Sequence, residues 1–362
     1  MSTVLDPIKM WEDLHKIPEL AMQEVKTSAY VTKTLQDLGI EVQTGIGGTT
    51  GVMGVIKGAE PGPVVLLRAD MDALPFTIDG KECAIHACGH DSHTAMLLAA
   101  ASRLKDRVKK GTLKLLFQPA EESISGALAM IKAGVIDDVD YALGAHIRPI
   151  QDVPAGQICP AVNHTASRTL RVTVHGRSAH AARPHLGVSA LDVACAIVQG
   201  VQNMWFNPAG IWSMKADQGA TNSIPETATI TFDNRAQTNP MMRDFSERFA
   251  KLVEGTAAAY GATAEITELG ACPAAEYDED FKQMVIDSIV RTHGQEAVAK
   301  DCGGGGEDFH YYKMHKPTMK AAYFGLGVGA TPGLHAATMH FDPQYLPMGV
   351  DVMVDVVEHL IG

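Results

Sequence analysis

The sequence predicts an α/β fold: a mostly parallel central sheet flanked by helices, with a smaller α+β domain inserted into it. Two observations lead to this prediction. Short apolar runs, typical of fully buried strands, alternate with helical segments in the outer parts of the chain. From residue 166 to residue 271 the pattern changes to alternating, half-buried strands. We therefore expect residues 1–165 and 272–362 to form one domain and residues 166–271 to form the other.

The first part of the chain predicts helices and then three buried strands. Residues 8–39 predict two helices, because apolar residues recur at helical spacing and Pro18 interrupts them. Polar residues follow each strand: Asp70 and Asp72 follow strand 63–67, Glu121 and Glu122 follow strand 113–117, and His146 follows strand 141–145. Functional groups of open α/β sheets collect beyond the carboxyl ends of their strands, so we expect these side chains to lie together.

The densest group of potential ligands is residues 86–93, with three histidines, a cysteine and an aspartate just before an apolar helical run. If the backbone is extended there, Cys88 and His90 project to the same side and can reach one ion or two neighbouring ions. Taken alone, a Cys-Gly-His motif favours a thiol and an imidazole buried at a helix start, each hydrogen-bonded, because short motifs match by chance. His335 follows the last predicted strand on a glycine-bearing loop and is placed to join them. The joint placement favours a metal site.

Residues 166–271 show the element order β-α-β-β-α-β, which is the ferredoxin-like arrangement. The predicted strands are 169–174, 210–214, 227–232 and 264–269, and the predicted helices are 188–202 and 240–259. The first domain then resumes with helix 281–293, strand 321–326 and helix 349–360.

Composition and charge limit the classes of partner. The formal net charge of −12 argues against nucleic acid and anionic membranes, which attract basic surfaces. The six cysteines occur singly, without a CxxC pair, which is typical of reduced thiols. We find neither a signal peptide nor an apolar run of about 20 residues, so we expect a cytoplasmic protein without a membrane segment.

The glycine run 303–306 does not indicate a phosphate-binding loop, because it lacks the Gly-Lys-Ser/Thr ending and a preceding strand. Glu307 and Asp308 follow this run, and we expect them to cap a helix near the site rather than to react.

Eight short motifs are spread along the chain. They are residues 14–20, 67–75, 86–91, 118–122, 176–184, 222–225, 306–309 and 334–335. In these motifs, and over nearly its whole length, the sequence resembles the dinuclear metallopeptidases and amidohydrolases that include hippurate hydrolase, N-acyl-amino-acid amidohydrolases and auxin-conjugate hydrolases. The resemblance implies a zinc-peptidase-like catalytic domain, a lid domain that mediates homodimerisation, and hydrolysis of the amide bond of N-acyl amino acids.

The resemblance also implies a role for each candidate residue. Two divalent ions would be bound by Cys88, His90, Glu122, His146 and His335. Glu121 would be the general base, while Asp70 and Asp72 would orient a ligand or the base. Thiolate and imidazole donors suit zinc, and manganese, cobalt or nickel could also serve.

Three residues of the inserted domain would contact the substrate. His180 would steady the oxyanion, commonly in the partner subunit's site, and would otherwise be a turn histidine. Asn222 and Arg235 match positions that bind the substrate's carboxylate, and a guanidinium suits that recognition. Arg235 could equally form a structural salt bridge.

Two alternatives stay open. A carboxypeptidase or dipeptidase would use the same site on peptides and would need an acidic partner for the free α-amino group, with Glu307 and Asp308 as candidates. A non-catalytic metal- or ligand-binding relative is disfavoured because Glu121 is retained. Only twelve residues separate Pro75 from Cys88, fewer than in most of the family, and this stretch borders the substrate site. The resemblance therefore does not identify the substrate.

Overall fold

Residues 4–204, 209–216 and 222–362 are described by the structure, a computed structural model. They form two units, the second of which is inserted into the first. One unit comprises the described residues up to Asn163 together with Glu276–Gly362, and the other is His164–Ala275. The helices of the described residues are all too short or too polar to cross a bilayer.

The first unit begins with helices and ends with a helix. Before the insertion its elements are α1 (Pro7–Leu14), α2 (Val25–Asp37), β1 (Glu41–Ile46), β2 (Gly51–Lys57), β3 (Glu60–Asp70), β4 (Leu74–Ile78), β5 (Lys81–Ile85), α3 (His90–Leu104), β6 (Lys110–Gln118), α4 (Gly126–Lys132), β7 (Tyr141–Pro149), β8 (Ile158–Cys159) and β9 (Val162–Asn163). The inserted unit contains β10 (Ala166–His175), α5 (Ala190–Gln202), β11 (Ala209–Ala216), β12 (Thr227–Ala236), α6 (Asn239–Ala259) and β13 (Thr263–Cys272). The first unit then continues with α7 (Glu279–His293), β14 (Cys302–Gly303), α8 (His310–His315), β15 (Lys320–Ala330) and α9 (Leu346–Ile361).

The main sheet of the first unit has seven strands in the order β1-β2-β6-β3-β7-β15-β8. The four neighbours β6, β3, β7 and β15 are parallel to one another, while the pairs β1–β2, β2–β6 and β15–β8 are antiparallel. Val65, Leu66 and Leu67 of β3 are completely buried, as expected for a parallel strand whose two faces are both covered. The predicted mixed α/β fold with a mostly parallel central sheet is confirmed.

The start of α3 is pressed against β7. Gly89 precedes the helix with φ +86°, and a Cβ atom at this position would lie 2.3 Å from Cδ1 of Ile147. Only glycine combines that backbone conformation with so close an approach. The glycine between Cys88 and His90 therefore sets how closely these two residues approach β7.

The inserted unit has an antiparallel sheet in the order β11-β12-β10-β13. This is the strand order of a ferredoxin-like unit, as the sequence predicts. Helices α5 and α6 supply apolar residues to its core, where the rings of Phe232 and Phe249 meet edge to face at 5.2 Å. β13 is an edge strand, and its Leu269 is exposed.

Seven strands of the first unit are not predicted by the apolar pattern, and three of them, β8, β9 and β14, are only two residues long. β1, β4 and β5 are mostly exposed, so their sequences contain no buried apolar run. β2 is buried, but Gly51 and Gly54 interrupt its apolar residues. The short stretch between Pro75 and Cys88 contains the β4–β5 hairpin, which Asp79 and Gly80 close with positive φ angles. Asp-Gly is a common signal for such a two-residue loop.

Candidate metal centre

The metal-ligand candidates of the first unit lie where parallel strands end. Asp70 is the last residue of β3, Glu121 and Glu122 follow β6, and His146 lies in the second half of β7. Cys88 and His90 flank Gly89 at the start of α3, and His335 follows β15. The fold thus brings residues from distant parts of the sequence to one edge of the sheet.

The donor atoms of the five predicted ligands form two groups. One group is Cys88, His90 and His146, and the other is Cys88, Glu122 and His335; within each, the donor atoms lie within 4.8 Å of one another. Cys88 Sγ is 3.4 Å from His146 Nε2. Glu122 Oε1 is 3.5 Å from His335 Nε2 and 3.8 Å from His90 Nε2. Because Cys88 belongs to both groups, its sulfur lies where it can serve two ions.

Two buried atoms of this cluster have no hydrogen-bond partner in the part of the chain that the structure describes. They are His90 Nε2 and Glu122 Oε1. Buried polar atoms without partners are costly, and a carboxylate oxygen facing an imidazole nitrogen is a typical arrangement of metal ligands. The residues present therefore fit divalent cations.

Asp72 holds three parts of the centre together. Its Oδ1 accepts a hydrogen bond from the backbone N–H of Glu121 at 3.1 Å, and its Oδ2 accepts one from the backbone N–H of Glu122 at 3.0 Å. Asp72 Oδ1 also lies 3.1 Å from His90 Nδ1. A proton on that nitrogen leaves the Nε2 lone pair of His90 directed at the ligand cluster.

Asp70 acts on the other side of the centre, through a histidine that the sequence analysis assigns no role of its own. Asp70 Oδ1 lies 2.6 Å from His93 Nδ1, and His93 Nε2 lies 2.9 Å from the backbone nitrogen of Ile147, which donates to it. Ile147 directly follows His146. His93 could have been found from its spacing, since it lies three residues after His90 on the same helix face.

A completely buried arginine, Arg68, is a further residue that the sequence analysis missed. Its guanidinium is 2.6 Å from Asp70 Oδ2, 2.7 Å from Asp308 Oδ1 and 2.9 Å from Glu307 Oε1. Its Nε donates to the side chain of Gln118 at 2.9 Å. The signal in the sequence is an arginine directly after the apolar run of β3, where a charge can be buried only with partners.

Glu121 lies between the ligand cluster and these acidic residues. Its Oε2 is 3.9 Å from His90 Nε2, and its Oε1 lies 3.4 Å from the backbone nitrogen of Asp308, which donates to it. Burial raises the pKa of the Glu121 carboxyl well above its ordinary value, and the negative charges of Glu307 and Asp308 raise it further. Glu307 and Asp308 thus lie beside the candidate base, in direct contact with Arg68.

Two non-glycine residues next to the centre have left-handed backbone conformations. Ala120, just before the two glutamates, has φ +58°, and its N–H donates to buried Glu24 at 2.9 Å. His335 has φ +65°, and its N–H donates to the carbonyl of Ala87 at 2.8 Å. Such conformations persist where the surroundings hold them, so both segments are fixed by specific contacts.

The three substrate-contact candidates belong to the inserted unit. His180 and Asn222 are exposed and lie near each other, because the backbone of residues 179–181 pairs with that of residues 222–224. Arg235 forms an ion pair with Asp233, two residues earlier on the same face of β12, with an Nε to Oδ1 distance of 3.0 Å. The salt-bridge alternative for Arg235 is therefore present in this structure.

Comparisons with known proteins agree on one family. Residues 66–359 match peptidase family M20/M25/M40. The chain is similar to the N-acetylcysteine deacetylase of Bacillus subtilis, with 32% identity over 94% of this chain and 92% of that protein. It is also similar to thermostable carboxypeptidase 2 of Saccharolobus solfataricus, with 32% identity over 94% and 92%. Among solved structures, a dinuclear metal-binding M20 peptidase of Bacillus subtilis aligns with a TM-score of 0.83 and 28% identity, covering 98% of this chain and 97% of that one.

Replacing Arg68 with methionine should destabilise the protein by about 3–5 kcal/mol, because three buried carboxylates lose their counter-charge. Replacing the exposed Arg107, which pairs with Glu358, by methionine is the matched control and should cost less than about 1 kcal/mol. Urea unfolding of both variants measures the difference. Equal losses of unfolding free energy in the two variants would contradict the importance assigned to Arg68.

Proposed function

We propose that this chain, which belongs to peptidase family M20/M25/M40, is a two-metal amidohydrolase acting on N-acyl amino acids. It would release a carboxylic acid and a free amino acid. Hydrolysis of this kind is supported by the similarity to a protein named N-acetylcysteine deacetylase. A metal-dependent mechanism is supported by the alignment with a dinuclear metal-binding peptidase.

The observation on which this proposal most depends is the division of the two adjacent glutamates. Glu122 Oε1 lies 3.8 Å from His90 Nε2 and 3.5 Å from His335 Nε2. Glu121 Oε1 instead accepts from the backbone N–H of Asp308, and its Oε2 borders His90 Nε2 at 3.9 Å. Glu121 borders His90 and Glu122 but belongs to neither Cys88-containing group, so it is available as the general base that the proposed hydrolysis needs. A protein that only stored metal would not need it.

In the proposed reaction, the ligands would be Cys88, His90, Glu122, His146 and His335. When bound, the ions would make a nearby water more acidic and polarise the substrate carbonyl. Glu121 would accept a proton from that water and pass it to the nitrogen of the departing amine. Asp72 would fix the positions of the His90 ring and of the backbone nitrogens of Glu121 and Glu122. The backbone N–H of Asp308 would hold the Glu121 carboxylate. Asp70 would orient the ligands through His93.

We propose further that the inserted residues 166–271 are a lid and dimerisation domain and that residues 1–165 and 272–362 are the catalytic, metal-binding domain. The open edge of β13 with its exposed Leu269 supports a homodimer. His180 would steady the oxyanion, and its exposure makes it available to a partner subunit. Asn222 and Arg235 would bind the substrate carboxylate. Arg235 would leave its ion pair with Asp233 to do so.

Zinc and manganese are the metals that we propose for the centre, with cobalt and nickel as alternatives. We propose the cytoplasm as the location of the protein.

A peptidase activity is the second candidate, favoured by the similarity to a protein named thermostable carboxypeptidase. We expect the metal-loaded enzyme to release amino acids from N-acetyl, N-benzoyl and longer N-acyl amino acids and to leave unblocked dipeptides intact. Enzyme stripped by a chelator should be inactive and should recover with zinc or manganese. Cleavage of unblocked dipeptides alone would instead establish the peptidase, and metal binding without any cleavage would favour a binding protein.

Replacing Glu121 with glutamine should reduce kcat by roughly 10²–10⁴-fold or more, because the glutamine cannot accept the proton. The metal content, measured by plasma mass spectrometry, should remain that of the wild type. The matched control is Glu122→Gln, the same change one residue later, which should lower the metal content. Full activity of Glu121→Gln would rule out its role as the base.

Mixing subunits tests whether His180 acts across the dimer. Glu121→Gln and His180→Ala homodimers should each be nearly inactive. Unfolding and refolding them together should restore about a quarter of wild-type activity, because half of the dimers become mixed and each mixed dimer has one complete site. Each variant refolded alone is the control. If the mixture stays as inactive as its components, His180 does not act on the partner's site.

A further inference from the structure

Two cysteines that lie outside the metal centre are neighbours in space. Cys159 ends β8 and Cys302 begins β14, and their Sγ atoms are 3.3 Å apart although 143 positions separate them in the sequence. This distance exceeds the roughly 2.05 Å of a disulfide bond and is short enough for a hydrogen bond between the two sulfurs. The fold therefore holds two free cysteines close enough for a two-electron oxidant to join them.

The surroundings give the two sulfurs different properties. Cys159 is completely buried, and Gly325 of β15 leaves space for it, since a Cβ at that glycine would lie 2.6 Å from Cys159 Sγ. Cys302 is partly exposed and directly precedes the glycine run. Cys302 is therefore the more accessible of the two cysteines to a small oxidant.

A buried cation lies beside this pair. The Arg148 guanidinium donates to the carbonyl of Gly303 at 3.4 Å and pairs with Asp152, while its Nε has no hydrogen-bond partner among the described residues. The hydrogen bond from Cys159 and the charge of Arg148 lower the pKa of the Cys302 thiol. Burial and the charge of Asp152 act in the opposite direction, and the pKa remains below its ordinary value. The same hydrogen bond and burial raise the pKa of Cys159. Lowered pKa and access are the marks of an attacking thiolate.

We propose that Cys159 and Cys302 form a redox-active dithiol that a peroxide converts into an intramolecular disulfide. The Cys302 thiolate attacks one peroxide oxygen, the O–O bond breaks, and the released oxygen takes up a proton. Cys302 is then a sulfenic acid. The Cys159 sulfur attacks that of Cys302, the S–O bond breaks, and water leaves with the Cys159 proton. In sum, two thiols lose two electrons, and one hydrogen peroxide is reduced to two waters.

The new bond would attach the glycine run to the sheet. Cys159 is paired with Gly325 of β15, which is part of the main sheet, whereas Cys302 is followed by four glycines. Cys302 and Gly303 pair with Val162 and Asn163 of β9, and the segment that follows them leads to Glu307 and Asp308.

The experiment uses the metal-loaded chain in which the exposed Cys83 and Cys195 are replaced by serine, which prevents disulfides between molecules. After hydrogen peroxide treatment and quenching, thiols are counted in denaturant and peptides are mapped by mass spectrometry without reduction. We expect the count to fall from four thiols to two per chain, with one cross-linked peptide that joins Cys159 to Cys302. Dithiothreitol should restore all four.

Single replacements in that background test the order of the steps. Cys159→Ala should leave a Cys302 sulfenic acid that dimedone traps, and Cys302→Ser should leave Cys159 reduced. The matched control, Cys272→Ser, removes another buried cysteine and should still give the cross-link. Four free thiols at a peroxide dose that oxidises Cys83 of the wild type would overturn the proposal. Dimedone labelling of Cys159 in the Cys302→Ser chain would overturn the assigned order.

Discussion

The candidate metal centre depends on one buried guanidinium. Arg68 of β3 contacts Asp70 on its own strand and Glu307 and Asp308 from a distant part of the sequence. None of these carboxylates could remain ionised in the interior without a cation or equivalent donors. Through Asp70 the guanidinium supports His93, and through Asp308 it supports the N–H that meets Glu121. The guanidinium of Arg68 is therefore the counter-charge for residues that support the metal ligands and for residues that support the proposed base.

The general placement of the centre is predictable from the sequence because it follows from topology. Parallel strands direct their carboxyl ends to one edge of the sheet, and a polar residue directly after a buried apolar run must lie there. Glu122 and His146 could be located in this way. Cys88 and His90 are brought together differently from the expected extended backbone, because Gly89 between them is left-handed with φ +86° and His90 already begins the helix. His335 was the least constrained, since its φ of +65° depends on a hydrogen bond to Ala87 that no sequence pattern indicates.

Other features depend on tertiary contacts and were not predictable. The position of Arg68 directly after an apolar run indicates a buried charge, but the sequence does not show its partners, which lie up to 240 positions away. The contact of Cys159 with Cys302 likewise depends on the short strands β8 and β14, which carry too few residues for a periodic pattern. The pair of Arg235 and Asp233 is the opposite case. Residues two apart on a strand share a face, so the sequence already contained that signal.

Two adjacent glutamates can take different positions because the backbone before them is fixed. Ala120 is held in a left-handed conformation by Glu24, and Asp72 accepts both of the following N–H groups. With the main chain anchored at three successive nitrogens, the two side chains leave it in different directions. Glu122 then meets the imidazoles of the ligand cluster, and Glu121 meets the N–H of Asp308. The chemical difference between two identical residues thus originates in the carboxylates of Glu24 and Asp72, which hold the backbone nitrogens of residues 120–122.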